Sequence, residues 1–150
     1  MNIAFFDFDH TISTKDSFLD FVAFSKGKTS LYLSLCILAP FLIIYKARLY
    51  SGQKIKELVL SYHFKGMNQD EFDQLCEQYG RERINVIINN KASDRIKWHQ
   101  ENNHRIVVVS ASIDKLLRYW CEQNCLELIG SRLAIEEGKL SGKLLGKNCN

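Results

Sequence analysis

Two short apolar runs constrain this chain more than any other feature. "IAFFDF" (residues 3–8) and "RIVVVSAS" (residues 105–112) are rich in β-branched or aromatic residues and bounded by polar ones. Both read as buried strands, the first apolar on both faces. Around them the apolar spacing is helical. Ile55, Leu58, Val59 and Tyr62 fall at i, i+3, i+4 and i+7. Phe72, Leu75, Cys76 and Tyr79 form a second stripe, and Ile113, Leu116, Leu117, Trp120 and Cys121 a third. Strands separated by helices need crossover connections, which produce a parallel sheet. The expected class is α/β.

Local signals refine this reading. Thr14 or Asp16 caps a helix from about Ser17, and Asn68 with Glu71 resembles a capping box. A helix is expected near residues 92–102, and Ser112 is expected to cap one starting at Ile113. "LELIGSRLAI" reads as a third strand with a break at Gly130, and "IEEGKLSGKL" as a hairpin turning at Glu137-Gly138. One Pro and eight Gly in 150 residues, with 46% apolar residues, place the chain among folded single domains rather than disordered ones. In open parallel sheets ligands bind beyond the carboxyl ends of the strands. Asp7 and Ser110 occupy those ends, so the fold brings them together, and the helical insert between them is a candidate cap.

The first run ends in two carboxylates, Asp7 and Asp9. Burying one beside apolar neighbours is costly and a second costs more, so the pair calls for a cation, a shared proton or a chemical task. In an extended strand Phe5, Asp7 and Asp9 share one side, with Phe6 and Phe8 on the other. One carboxylate is then placed to attack phosphorus, and the other to protonate the leaving oxygen and later activate water. A like charge nearby raises the pKa of one member, and Mg2+ would shield the nucleophile from the phosphate.

Asp7-Phe8-Asp9-His10-Thr11 resembles the Asp-x-Asp-x-Thr motif of the haloacid dehalogenase (HAD) superfamily of phosphohydrolases. Ser110 in "VVVSAS" resembles its second motif, a Ser or Thr ending the next core strand. The helical insert and "GSRLAIEEGKLSGKLLGKNC" resemble the C1 cap and the hairpin region of the phosphoserine-phosphatase-like branch, subfamily IB. The resemblance implies a Rossmannoid parallel sheet, with core at residues 1–14 and 91–150 and an all-helical cap at 15–90. It implies that Asp7 is the nucleophile and a Mg2+ ligand, and that Asp9 is the general acid/base and lends its carbonyl to the metal. Ser110 would hydrogen-bond the phosphoryl group, with backbone N–H groups near Phe8 and Ala111. Thr11 would steady the loop, and Asp16 would contact substrate. His10 stands where Gly or Ser is more usual and is given no catalytic role.

Two further motifs of that family are expected after "GKNC": a Lys that neutralises the phosphorylated intermediate, and an acidic pair that completes the magnesium shell. Neither follows here, and Lys147 lies upstream of the expected Lys. The expectation is a C-terminally truncated enzyme with an incomplete sheet, whose first strand is an open edge available for self-association. The alternatives are an inactive fragment that binds phosphate or membrane, and a sub-domain of a larger polypeptide.

Charge and hydropathy speak to partners. Residues 15–65 hold eight Lys/Arg against three Asp/Glu, while the whole chain is only +3. That local excess suits a phosphorylated ligand or an anionic lipid surface, and without a basic stripe interleaved with aromatics it does not suit nucleic acid. "LYLSLCILAPFLIIY" (residues 31–45) has basic flanks, Lys26, Lys28, Lys46 and Arg48, and contains Pro40. It reads as a buried cap helix, as an interfacial segment of residues 29–50, or least readily as a span. It resembles the greasy insert of branch members that act on phosphatidylglycerophosphate, which implies a lipid phosphate; a small phosphomonoester such as phosphoserine is the other substrate class. Five cysteines without Cys-x-x-Cys, and no secretion signal, read as reduced thiols in the cytoplasm, with peripheral contact at the inner face of the membrane. Cys121 and Cys125 with His99 or His104 are a zinc alternative, set against the commoner role of such thiols in cores.

Overall fold

A computed structural model describes residues 2–46 and 51–146. Arg48 and Lys147 lie outside the described residues, and so does the expectation attached to Lys147. Among the described residues, four strands lie side by side in chain order: β1 (Ile3–Asp7), β2 (Arg105–Ile113), β3 (Glu127–Glu136) and β4 (Lys139–Leu145). β1 runs parallel to β2, from Ile3 opposite Arg105 to Asp7 opposite Val109, and β2 runs parallel to β3. Helices link these strands, which is why they are parallel. β4 returns antiparallel because its connection has two residues, Glu137 (φ 49) and Gly138 (φ 74). Both are left-handed, as a tight hairpin turn demands.

Among the described residues, seven α-helices lie between β1 and β2: α1 (Ser17–Lys26), α2 (Lys28–Ile37), α3 (Ala39–Lys46), α4 (Gly52–Phe64), α5 (Gln69–Glu82), α6 (Ile84–Ile87) and α7 (Asn90–Glu101). An eighth, α8 (Asp114–Gln123), joins β2 to β3. The caps follow local chemistry. Asp16 Oδ1 accepts from Leu19 N at 2.8 Å, and Asn68 Oδ1 from Asp70 N at 2.8 Å. Ser112 departs from expectation. The helix starts later, at Asp114, and Ser112 Oγ instead meets Ser17 Oγ at 2.9 Å. The Cys121/Cys125 zinc alternative fails in the same region: α8 ends at Gln123, Cys125 is exposed beyond it, and no three metal-ligating side chains converge among the described residues.

Right-handed crossovers that advance in one direction put their helices on one face of a sheet. Phe6 meets His99 of α7 edge-on at 5.6 Å, and Phe8 meets Trp120 of α8 at 5.5 Å. The other face leaves Ile3, Phe5 and Ile129 exposed, Phe5 by 67%. The expectation that β1 is buried on both faces is therefore corrected, whereas its position at the sheet edge is as expected. β3 runs through Gly130 without a gap, but its register shifts there: it pairs parallel with β2 up to Ile129, again at Ser131 opposite Ile113, and antiparallel with β4 from Arg132 onward. A Cβ at Gly130 would lie 2.9 Å from Asp114 Cα, so the close approach of α8 requires glycine.

Between β1 and β2 the chain leaves and returns through adjacent passages. Ser13 pairs with Ile88, Thr14 N donates to Ile87 O at 2.7 Å, and Asn89 N donates to Ile12 O at 2.8 Å. Beyond them Phe21, Phe64, Phe72 and Tyr79 pack at ring separations of 5.3–5.6 Å, joining α1, α4 and α5. Arg83 clamps Asp20 through two bonds of 2.9 Å, and Tyr79 Oη donates to Ser17 O at 3.1 Å. β4 lies against α4, where Ser61 Oγ donates to Gly142 O at 3.1 Å and Leu144 N to Glu57 Oε1 at 3.1 Å. The segment expected as one kinked helix is two, α2 and α3, bent by 65°. Pro40 sits in the first turn of α3, where its missing N–H removes no helical bond.

Candidate active site

Asp7 is the last residue of β1, and the register sets it opposite Val109, next to Ser110. Its side chain is exposed, and among the described residues it accepts no hydrogen bond and forms no ion pair. β1 ends there, so strand alternation does not carry Asp9 to its place. The loop Phe8–Ile12 does. Asp9 is extended (φ −70, ψ 125), and His10 turns left-handed (φ 62, ψ 8). That conformation favours glycine, and His is among the residues that visit it. Phe8 is fully buried and anchors the loop in the core. Thr11, expected to steady the loop, is exposed. Ser13 holds it instead: its Oγ donates to Phe8 O at 3.1 Å and to Lys15 O at 2.6 Å.

Asp9 Oδ1 accepts from Ser17 N, the first N–H of α1, at 2.8 Å. Burial pushes its carboxyl above the ordinary carboxylate range. The Ser17 hydrogen bond opposes that rise, Asp16 adds to it, and the Lys56 ammonium lowers it. Asp16 caps α1, as above, and lines a groove of about 470 Å³ with His10, Lys15, Lys28, Leu31 and Tyr32.

Ser110 is buried at the point where β2 stops pairing regularly with its neighbours. Its Oγ accepts from Ser112 N at 3.0 Å. Ser112 reaches Ser17, so hydrogen bonds run continuously from Asp9 to the backbone beside Ser110. Ala111 O accepts from Ser131 Oγ at 3.0 Å and from Lys56 Nζ.

Lys56 is the site residue that sequence reasoning missed. It comes from α4, 55 positions before Ala111, and nothing in its local pattern separates it from a solvated helix lysine. Burial lowers its pKa, while Asp16 and Asp9 support its charge. Ser17 was also missed as a ligand of Asp9. The only local hint is that it follows the capping Asp16, where an N–H is free to meet an anion.

The arrangement separates two carboxylates by environment. One is open to a reacting group, and the other is half-buried with a raised affinity for its proton. The Asp7 carboxylate and the Asp9 carbonyl are hard oxygen donors of the kind Mg2+ takes. They fit the ion in kind and supply two of its roughly six positions.

The sequence profile of haloacid dehalogenase-like hydrolases matches residues 4–150. No curated protein matches the chain. Among solved structures, a protein of unknown function from Bordetella pertussis Tohama I is similar at a TM-score of 0.78 and 18% identity, over 99% of this chain and 68% of that one. A phosphoserine phosphatase captured as a phospho-aspartyl intermediate analogue is similar at 0.61 and 17%, over 97% of this chain and 63% of that one. A HAD family hydrolase from Salmonella enterica serovar Typhi is similar at 0.68 and 13%, over 99% of this chain and 46% of that one. At such identities the likeness is one of fold, and the chain spans under two thirds of the latter two proteins. Because the profile match runs through both strand-end motifs and the helices between them, the chain belongs to the haloacid dehalogenase-like hydrolase family.

Proposed function

We propose that this chain carries the nucleophile and acid/base of a Mg2+-dependent phosphomonoester hydrolase. Its core would comprise residues 1–14 and 91–150, with residues 15–90 as a helical cap. The observation that carries the reading is the contrast between Asp7, exposed at a strand end, and Asp9, half-buried with its pKa raised. An Asp7 oxygen attacks phosphorus as the bond from phosphorus to the ester oxygen breaks. Asp9 gives its proton to that leaving oxygen. Water then attacks the phosphorus of phospho-Asp7, Asp9 takes the proton back, and phosphate leaves with Asp7 restored.

Ser110 Oγ and the backbone N–H groups near Phe8 and Ala111 would bind the phosphoryl oxygens. Lys56 supplies positive charge beside Asp9 and Asp16, and Asp16, which lines the groove with His10, would contact the substrate. Mg2+, when bound, would be held by the Asp7 carboxylate and Asp9 carbonyl and would offset repulsion between nucleophile and phosphate. The substrate is a phosphomonoester, either small, such as phosphoserine, or lipid-borne, such as phosphatidylglycerophosphate. The proposed setting is the cytoplasm.

The test is Mg2+-dependent phosphate release from an aryl phosphate by this chain and by Asp7→Asn, both shown to be folded by circular dichroism. Release that disappears in Asp7→Asn is the expected result. Equal release by both would remove Asp7 as nucleophile. No release from the folded wild-type chain would favour the alternative, a catalytically inactive phosphate- or membrane-binding module.

A further inference from the structure

We propose that the elbow formed by α2 and α3 is a docking surface for an anionic lipid bilayer. The proposal is independent of the chemistry at Asp7.

Exposure of apolar side chains in this protein is concentrated here. Of the fourteen large hydrophobic residues exposed among the described residues, seven fall within residues 32–45. On α2 they include Tyr32 (64% exposed), Leu33 and Ile37; on α3 they include Ile43 (69%), Ile44 and Tyr45. α3 has no buried residue at all. The elbow nevertheless has an inner side. Leu31, Ser34 and Leu38 are buried, and Ser34 Oγ lies 2.9 Å from His63 Nε2 of α4. Both sides of α2 are therefore apolar, whereas a cap helix facing water carries a polar outer side. A patch of this kind marks a surface that is covered in use.

Charge identifies the cover. From Phe21 to Lys56 the chain contains no Asp or Glu and six Lys or Arg. Lys28 opens α2 and Lys46 closes α3, so ammonium groups sit at both ends of the apolar patch. A second copy would bring the same cations face to face. A bilayer with anionic headgroups accepts the apolar side chains and the cations together. Tyr32 and Tyr45 suit the boundary between acyl chains and headgroups.

Length and shape decide how the elbow sits. At 1.5 Å per residue α2 and α3 measure about 15 and 12 Å, well short of a hydrocarbon core of ~30 Å. No single helix among the described residues is long and apolar enough to cross a membrane. The 65° bend between two short helices suits an interfacial seat. Tyr32 and Lys28 also line the groove that contains His10 and Asp16. If the proposed chemistry holds, a phosphate at the membrane surface would lie beside the groove that Asp16 lines.

The experiment is co-sedimentation of the chain with vesicles of phosphatidylglycerol and phosphatidylcholine, or of phosphatidylcholine alone, without Mg2+ or substrate. Binding at least tenfold stronger to the anionic vesicles is expected, weakening in high salt. Leu33→Glu with Ile43→Glu, both at exposed positions, should lower binding more than tenfold while circular dichroism is unchanged. Lys28→Gln with Lys46→Gln should lower it about fivefold per charge, on anionic vesicles only. Asp7→Asn should bind like the wild type, which separates this result from any failure of catalysis. Absence of binding to anionic vesicles, or binding by both double variants as strong as that of the wild type, overturns the proposal. So does a wild-type dimer in light scattering that becomes monomeric in Leu33→Glu/Ile43→Glu, because the face would then be covered by a second copy.

Discussion

Gly142→Ala tests the contact that places α4, and with it Lys56, over the end of β2. Gly142 has φ +83, and a Cβ built there would lie 2.3 Å from Ser61 Oγ and 2.9 Å from Ser61 Cα. The hydroxyl can rotate away, but the Cα belongs to the backbone of α4, so the helix itself must shift. Holding an L-residue in left-handed backbone costs about 1–2 kcal/mol. Overpacking adds roughly 1–3 kcal/mol. The Ser61 Oγ bond to Gly142 O, 3.1 Å long, contributes about 1 kcal/mol that the shift would forfeit. The expected loss is therefore about 3–6 kcal/mol, a large share of the 5–15 kcal/mol typical of a domain. Gly138 is the control. Its φ is +74, yet nothing lies within 4 Å of its Cβ position, so Gly138→Ala carries only the backbone cost of about 1–2 kcal/mol. Urea unfolding followed by tryptophan fluorescence measures both, at one pH and with m-values compared. Equal losses for the two variants would refute the close packing of β4 on α4.

Two further outcomes concern the site. Lys56→Met removes the ammonium that lowers the Asp9 pKa. The expected results are a KM for phosphomonoesters raised about tenfold, roughly the 1–2 kcal/mol of a charge-assisted contact, and a pH–rate limb for Asp9 moved to higher pH; an unmoved limb would separate Lys56 from Asp9. Asp9→Asn should change the pH dependence of stability, measured by urea unfolding in chelator. Burial raises the Asp9 pKa in the folded state, so the native protein holds that proton more tightly than the unfolded chain. The wild type then loses stability relative to Asp9→Asn as pH rises from about 4 to the folded-state value, and the difference is flat below that range. A difference independent of pH would contradict the assigned burial.

Much of the fold was legible because it rests on short-range rules. The two strands, the Asp16 and Asn68 caps and the Glu137-Gly138 turn each depend on a few consecutive residues. Parallel topology then placed Asp7 near Ser110 without any further information. Ser112 misled for the opposite reason. Serine before a helical stripe is a good local cap, but a partner 95 residues away in Ser17 was available. Lys56 was invisible because its meaning depends on α4 lying against β4 and over Ala111. Periodicity gave no warning that one face of β1 would be open, because that follows from the direction and hand of two crossovers.

By itself the sequence determined the α/β class, the two strand-end motifs and the apolar, acid-free stretch between Phe21 and Lys56, since composition and spacing are properties of the chain alone. Only the tertiary structure decided which carboxylate is buried, which lysine reaches it and which side of α2 and α3 meets solvent. Those depend on burial and charge contacts between segments far apart in the chain, and such contacts exist only once the segments have packed.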